Sequence, residues 1–164
     1  MQGEQGLGTF FAIMDRHPDA GEPLGLLTAA TPRPSGYDAT PPGARTFAWT
    51  GGDGVHFSLL PPTGDDPATP VVMTVPMQFD APNLVLGADL AEFLSLGLSA
   101  GFFPLEGLVH DRPATLARLE RGERLPSGAR AALKSLTRTF GLRPMRPIGA
   151  RLDALQAAHG PRLG

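Results

Sequence analysis

Asp53 and His56 lie three positions apart and carry the chain's best prospect of chemistry. Histidine titrates near neutral pH, and a carboxylate can orient its ring, so the pair holds two parts of a general-base site. The residues around it predict something plainer. Phe47 to Thr50 precedes, and Val55 to Leu60 follows, a four-residue turn, Gly51 to Gly54, which reads as a tight β-hairpin. On the second strand Val55, Phe57 and Leu59 share one face while His56, Ser58 and Leu60 share the other. His56 is therefore expected as a half-exposed strand residue. No Gly-x-Ser-x-Gly elbow supplies a nucleophile. The same glycines could cradle a phosphate only if they opened a helix and a lysine followed, and here a strand follows.

The remaining chemical candidates are weaker. His17, His56, His110 and His159 show no i, i+4 pair, and Asp65-Asp66 lacks the further ligands of a calcium loop. The expectation is no metal, no cofactor and no catalytic residue. Glu92 and Glu106 read as a helix cap and a surface carboxylate. Arg130, Lys134 and Arg138 recur at i, i+4 and i+8, with Arg118, Arg121 and Arg124 nearby. Such a stripe suits nucleic acid in principle. No aromatic residues interleave with it, and a pI near 6.0 argues against a dedicated nucleic-acid binder, so a solvated helix face is expected.

The elements that would position these residues follow from periodicity. Leu7, Phe10, Phe11 and Met14 predict a short amphipathic helix ending near Pro18. Residues 1–6 are polar and expected to fray, leaving 7–164 as one domain. Leu24 to Leu27 is a brief apolar run. Thr31 to Gly43 is punctuated by proline and glycine and predicts a connector laid over the core, with Tyr37 packed. Pro70 to Pro76 and Asn83 to Gly87 predict two more strands, separated from the hairpin by an acidic loop at Asp65-Asp66. Asp89 starts a helix, with Glu92 in the capping-box position, Leu90, Phe93, Leu94 and Leu98 inward and Gly101 at its end. Helices are expected at Thr115–Arg121, from Ser127 to Gly141, and after Pro147. Sheet first and helices later gives an α+β class: a mostly antiparallel sheet with a Gly-turn hairpin, and C-terminal helices packed on one face.

Bulk properties agree with that class. The chain has 164 residues, with 21 glycines and 18 prolines, which predicts short elements and many loops. It has no cysteine, so no disulfide framework is available. No basic stretch followed by an apolar run opens the sequence, and no run reaches the length of about 20 apolar residues that a membrane span needs. A cytoplasmic protein without membrane contact is expected. Charge is uneven: residues 1–109 hold twelve acids and three arginines, whereas residues 110–164 hold four acids and eleven basic residues. Mutual attraction of the two halves is the expected outcome.

The order of Phe47 to Leu60, then Pro70-Val71-Val72, then Asn83 to Leu94 with Asp89-Leu90-Ala91-Glu92-Phe93-Leu94 resembles the SUKH superfamily, over roughly residues 47–106. The resemblance implies a small α+β protein without catalysis, and many such proteins are bacterial immunity proteins that neutralise a toxin by binding it. It implies a toxin-like protein partner held by occlusion, with Trp49, Phe79 or Phe103 as candidate anchors and the Asp65-Asp66 loop attractive to a basic partner. The alternative reading is a small hydrolase using His56 with a carboxylate.

Overall fold

Strands of alternating apolar and small polar residues build one five-stranded sheet in the computed structural model, which describes residues 2–164 and leaves the side chains of residues 2–5 aside. The strands are β1 (Leu27–Arg33), β2 (Arg45–Trp49), β3 (His56–Leu59), β4 (Val71–Thr74) and β5 (Asn83–Gly87). Each pairs antiparallel with its sequence neighbour, in the order β1-β2-β3-β4-β5. The helices are α1 (Gln2–Asp15), α2 (Gly21–Leu24), α3 (Leu90–Leu96), α4 (Gly107–His110), α5 (Arg112–Arg121), α6 (Ser127–Phe140) and α7 (Ile148–His159), with 3-10 turns at Phe103–Glu106 and Gly160–Leu163. The expected α+β class is observed. Met1 and the side chains of residues 2–5 lie outside the described residues; the backbone of residues 2–6, expected to fray, is the first part of α1.

The two faces of the sheet differ. Phe47, Val55, Phe57, Met73 and Val85 enter the main core with Phe10 of α1, Phe93 of α3, Leu136 of α6 and Leu152 of α7. The opposite face carries Thr46, His56, Ser58 and Thr74, all buried, beside a small apolar cluster of Ala44, Leu60 and Val72 that Leu163 packs against. Polar side chains there meet one another, as Thr46 Oγ1 and Ser58 Oγ do at 2.7 Å. Buried hydroxyls need such partners to offset lost hydration.

Three expectations need correction. Thr31 to Arg33 belongs to β1 rather than to the connector. Pro32 is tolerated because β1 is an edge strand, whose irregular register to β2 leaves that missing N–H unneeded. The Leu90 helix ends at Leu96 with Gly97 as its cap, short of Gly101, although Gly101 does adopt a left-handed φ of 74°. The helix at 115–121 begins earlier, at Arg112, where Asp111 accepts a hydrogen bond from the Ala114 N–H. The start of α3 is as expected: Asp89 Oδ1 accepts from the Glu92 N–H at 2.8 Å. Glu92 Oε2 in turn accepts from the Ala88 N–H at 2.6 Å.

Residues 110–164 close over the sheet. The Val85 N–H donates to Gln156 Oε1 at 3.1 Å, so α7 covers the β5 edge. Arg151 donates twice to Glu92, at 2.5 and 3.2 Å. Burial alone would raise the Glu92 carboxyl, but the Arg151 and Ala88 hydrogen bonds and the Arg151 charge outweigh it and hold the carboxyl below its ordinary value. At the C-terminus Arg162 donates to Asp66 Oδ2 (3.1 Å), the Pro61 carbonyl (2.6 Å) and the Ala68 carbonyl (3.0 Å), clamping the β3–β4 loop. Hydrogen bonds to charged groups contribute about 1.5–3 kcal/mol each when buried. Arg162→Ala is therefore expected to lower unfolding free energy by about 2 kcal/mol and to open residues 61–69 to proteolysis. Urea denaturation and limited proteolysis check this, and an unchanged cleavage pattern would show that the loop holds itself.

Candidate functional site

One end of the sheet gathers the exposed apolar surface. The terminal residue pairs Leu27–Trp49, Trp49–His56, His56–Thr74 and Thr74–Asn83 form a row across all five strands. Beyond that row lie the β2–β3 turn at residues 50–55 and the β4–β5 loop at residues 75–82. Among the described residues the large exposed apolar side chains are Leu27, Tyr37, Met77, Phe79 and Phe103, and all five stand at this end. Phe79 is 85% exposed and Met77 63%, both in the β4–β5 loop. Single exposed apolar residues are ordinary, so it is their occurrence at one end of the sheet that makes this end the candidate site.

The turn glycines explain how three of the five come together. A β-carbon added at Gly51 would lie 3.1 Å from Leu27 Cδ1, one at Gly52 3.4 Å from the Phe103 ring, and one at Gly54 2.5 Å from the Tyr37 hydroxyl. Gly51 and Gly54 also hold left-handed φ of 92° and 72°, so both turn shape and close contact select glycine. Phe103 is placed from beneath. The Phe102 N–H donates to the Leu24 carbonyl at 2.7 Å, and Gly25, at φ 66°, lets the Phe103 backbone approach α2. The connector is tied in as well: Asn83 Nδ2 donates to the Ala39 carbonyl at 2.8 Å while Asn83 Oδ1 accepts from Thr74.

This end is acidic. Glu22, Asp38, Asp53 and Asp80 are exposed around it. No lysine or arginine occurs between residues 46 and 111. The Arg33 guanidinium lies over the Trp49 ring, 5.5 Å from its centroid.

His56 is placed differently from expectation. It is fully buried, not half-exposed, because residues 35–40 cross over it. Its Nδ1 donates to the Gly54 carbonyl at 2.7 Å, which leaves Nε2 to accept from Thr40 Oγ1 at 2.8 Å. Ser35 Oγ continues the chain to Thr40, and the Tyr37 ring stacks on the imidazole with centroids 5.5 Å apart. Both ring nitrogens are thus engaged, and Asp53 is an exposed turn residue at φ 51° that does not orient the ring. A general base must reach a substrate proton. This imidazole is covered, and it serves as the pin that holds the connector onto the sheet.

The other sequence candidates do not converge. Asp66 is engaged by Arg162 at the opposite end of the sheet, while Asp65 is exposed. Arg130, Lys134 and Arg138 are exposed along α6. Of the candidate anchors, Trp49 is half-buried, and Phe79 and Phe103 are exposed. No group of three or more metal-ligating side chains is assembled among the described residues, and no helix there is long and apolar enough to cross a membrane. A cavity of about 450 Å³ between α3, α5 and the α6–α7 linker is lined mainly by Leu96, Leu98, Leu119, Met145 and Ile148. Its charged lining residues are Glu120 and Arg146; Ser95 and Ser99 also line it, and Ser95 Oγ donates to the Ala91 carbonyl at 2.9 Å. Sequence reasoning named Phe79 among the candidate anchors but missed the exposure of Met77 beside it. The available signal was two large apolar residues in a Pro76-to-Pro82 segment to which no strand or helix was assigned.

Burial lowers the His56 pKa below its ordinary 6.5, only partly offset by the hydrogen bond to Gly54. Between the two values the unfolded chain binds a proton that the folded chain does not. Stability is therefore full above about pH 6.5 and falls as the pH drops below it. Denaturation midpoints from pH 8 to 5 should show this loss, and His56→Gln should flatten it; identical slopes in both proteins would place the proton elsewhere. At Gly25, a β-carbon would meet the Phe103 nitrogen at 2.5 Å. Gly25→Ala should cost about 2 kcal/mol or more from left-handed strain and overlap, read as a lowered urea midpoint.

No family model matches the chain, and neither a curated protein nor a solved structure matches it.

Proposed function

We propose that this protein is a non-catalytic binding module whose partner is another protein, held at the acidic, apolar end of the sheet. The observation that carries this reading is the gathering of Leu27, Tyr37, Met77, Phe79 and Phe103 at one end. Aromatic residues and methionine are enriched at protein interfaces, and a few of them carry most of the binding energy. The surface rests on hydrogen-bonded turns and glycine contacts, so little ordering is needed on association. The mechanism is occlusion: a preformed surface covers the partner, with an interface of about 1,600 Å² in total.

A narrower form of the reading is an immunity protein that neutralises a toxin by covering its active site. It rests on the order of sequence motifs over residues 47–106 alone. The acidic surround favours a basic partner and would speed its encounter. The hydrolase alternative is weakened by the burial of His56 and the engagement of both its nitrogens.

The test is capture from lysate of the source cells with the wild-type chain and with Met77→Ala/Phe79→Ala. Both side chains are exposed, so the variant should keep the wild-type melting temperature. A stoichiometric protein partner should be retained by wild type and bound at least tenfold more weakly by the variant, as loss of about 2 kcal/mol at an anchor implies. Equal retention of that partner by both proteins would overturn the reading.

A further inference from the structure

We propose that the depression between α2 and the β2–β3 turn receives one lysine or arginine side chain of the protein partner. This rests on the protein-binding reading and names the chemistry of its contact. The depression has a volume of about 380 Å³ and is lined by Glu22, Leu27, Thr50, Gly51 and Phe103. Leu27 is 40% exposed and Phe103 47%, so two apolar walls stand open to solvent. Gly51 adds no side chain, and a β-carbon there would crowd Leu27 at 3.1 Å. An opening of this kind admits a methylene stem.

The selective element is charge. Glu22 is the one ionisable residue among those five, and it forms no ion pair among the described residues. No lysine or arginine is among the residues that line the depression. Asp53 adds a second exposed negative charge on the adjoining turn. An aromatic ring beside a free carboxylate binds a cation through its quadrupole and through charge-assisted hydrogen bonds. Lysine and arginine combine such a head with an apolar stem, so one side chain satisfies both parts of the depression. A purely apolar side chain would leave Glu22 facing it without compensation.

The experiment is an amide-resolved NMR titration of the full chain at low salt with N-acetyl-arginine methylamide and N-acetyl-lysine methylamide. N-acetyl-norleucine methylamide serves as the uncharged match. Saturable shifts are expected at Leu27, Thr50, Gly51 and Gly52, at least threefold stronger in apparent affinity for the two cations. They should vanish in Glu22→Gln, an exposed substitution that leaves the fold intact. Equal shifts with norleucine, shifts that survive Glu22→Gln, or no localised shift would overturn the cation receptor and leave the protein-binding reading standing. Full partner affinity in Met77→Ala/Phe79→Ala would instead overturn the sheet-end reading, and with it the assignment of this cation to a protein partner.

Discussion

The contact on which the rest depends is that of Phe93 with the sheet. Its ring lies 5.8 Å from Phe47 of β2, 4.8 Å from Phe57 of β3 and 5.0 Å from Phe102, centroid to centroid. One side chain of a seven-residue helix thus joins two central strands to the segment that carries Phe103. Such a short helix has little stability alone and takes it from packing. Its approach is possible because Gly87 has no β-carbon, which would stand 2.6 Å from the Phe93 nitrogen. Asp89 then fixes the first turn so that Phe93 points inward. Gly97 continues the constraint, since a β-carbon there would fall 2.2 Å from Phe102 Cζ.

This arrangement has a consequence at the sheet end. Phe102 is locked between Gly97 and the Leu24 carbonyl, so its neighbour Phe103 is turned outward against the β2–β3 turn. On the other face, Thr40 and Tyr37 are held by His56, which lies in the same terminal row. Tyr37 and Phe103 are therefore each backed by a buried residue, the His56 ring and the neighbouring Phe102. A surface supported in that way keeps its shape without a partner, which lowers the entropy lost when one docks.

Much of the fold was legible in the sequence, because local rules and tertiary structure agree there. The alternation from Val55 to Leu60 matches the two faces seen, and Asp89 with Glu92 marks the start of α3. Where tertiary contacts decide, legibility stops. β1 was hidden by Pro32, whose cost is small because that strand lies at an edge. The burial of His56 depends on a connector sixteen residues away at Thr40, which no local pattern encodes. The exposure of Phe79 and Phe103 is likewise set by which side chain in each loop the core captures. The candidate site was thus readable as residue types but not as a place.

Charge shows how the two halves of the chain divide their work. Glu92 and Asp66, from the acidic half, are met by Arg151 and Arg162 from the basic half, and these pairs fasten α7 and the C-terminal turn to the sheet. The acids exposed at the sheet end, Glu22, Asp38, Asp53 and Asp80, take part in no ion pair among the described residues. The exposed cations of α6 lie in the helical layer instead. Internal pairing therefore uses the asymmetry only in part, and the remainder leaves a negative end and a positive helix on one molecule of net charge −2. A basic partner approaching such a dipolar surface is turned toward the negative end before contact, and apolar burial takes over at short range. On the proposed reading, attraction from a distance and adhesion on contact would fall to different residues: the carboxylates would orient a basic partner, and Phe79, Met77 and Phe103 would hold it.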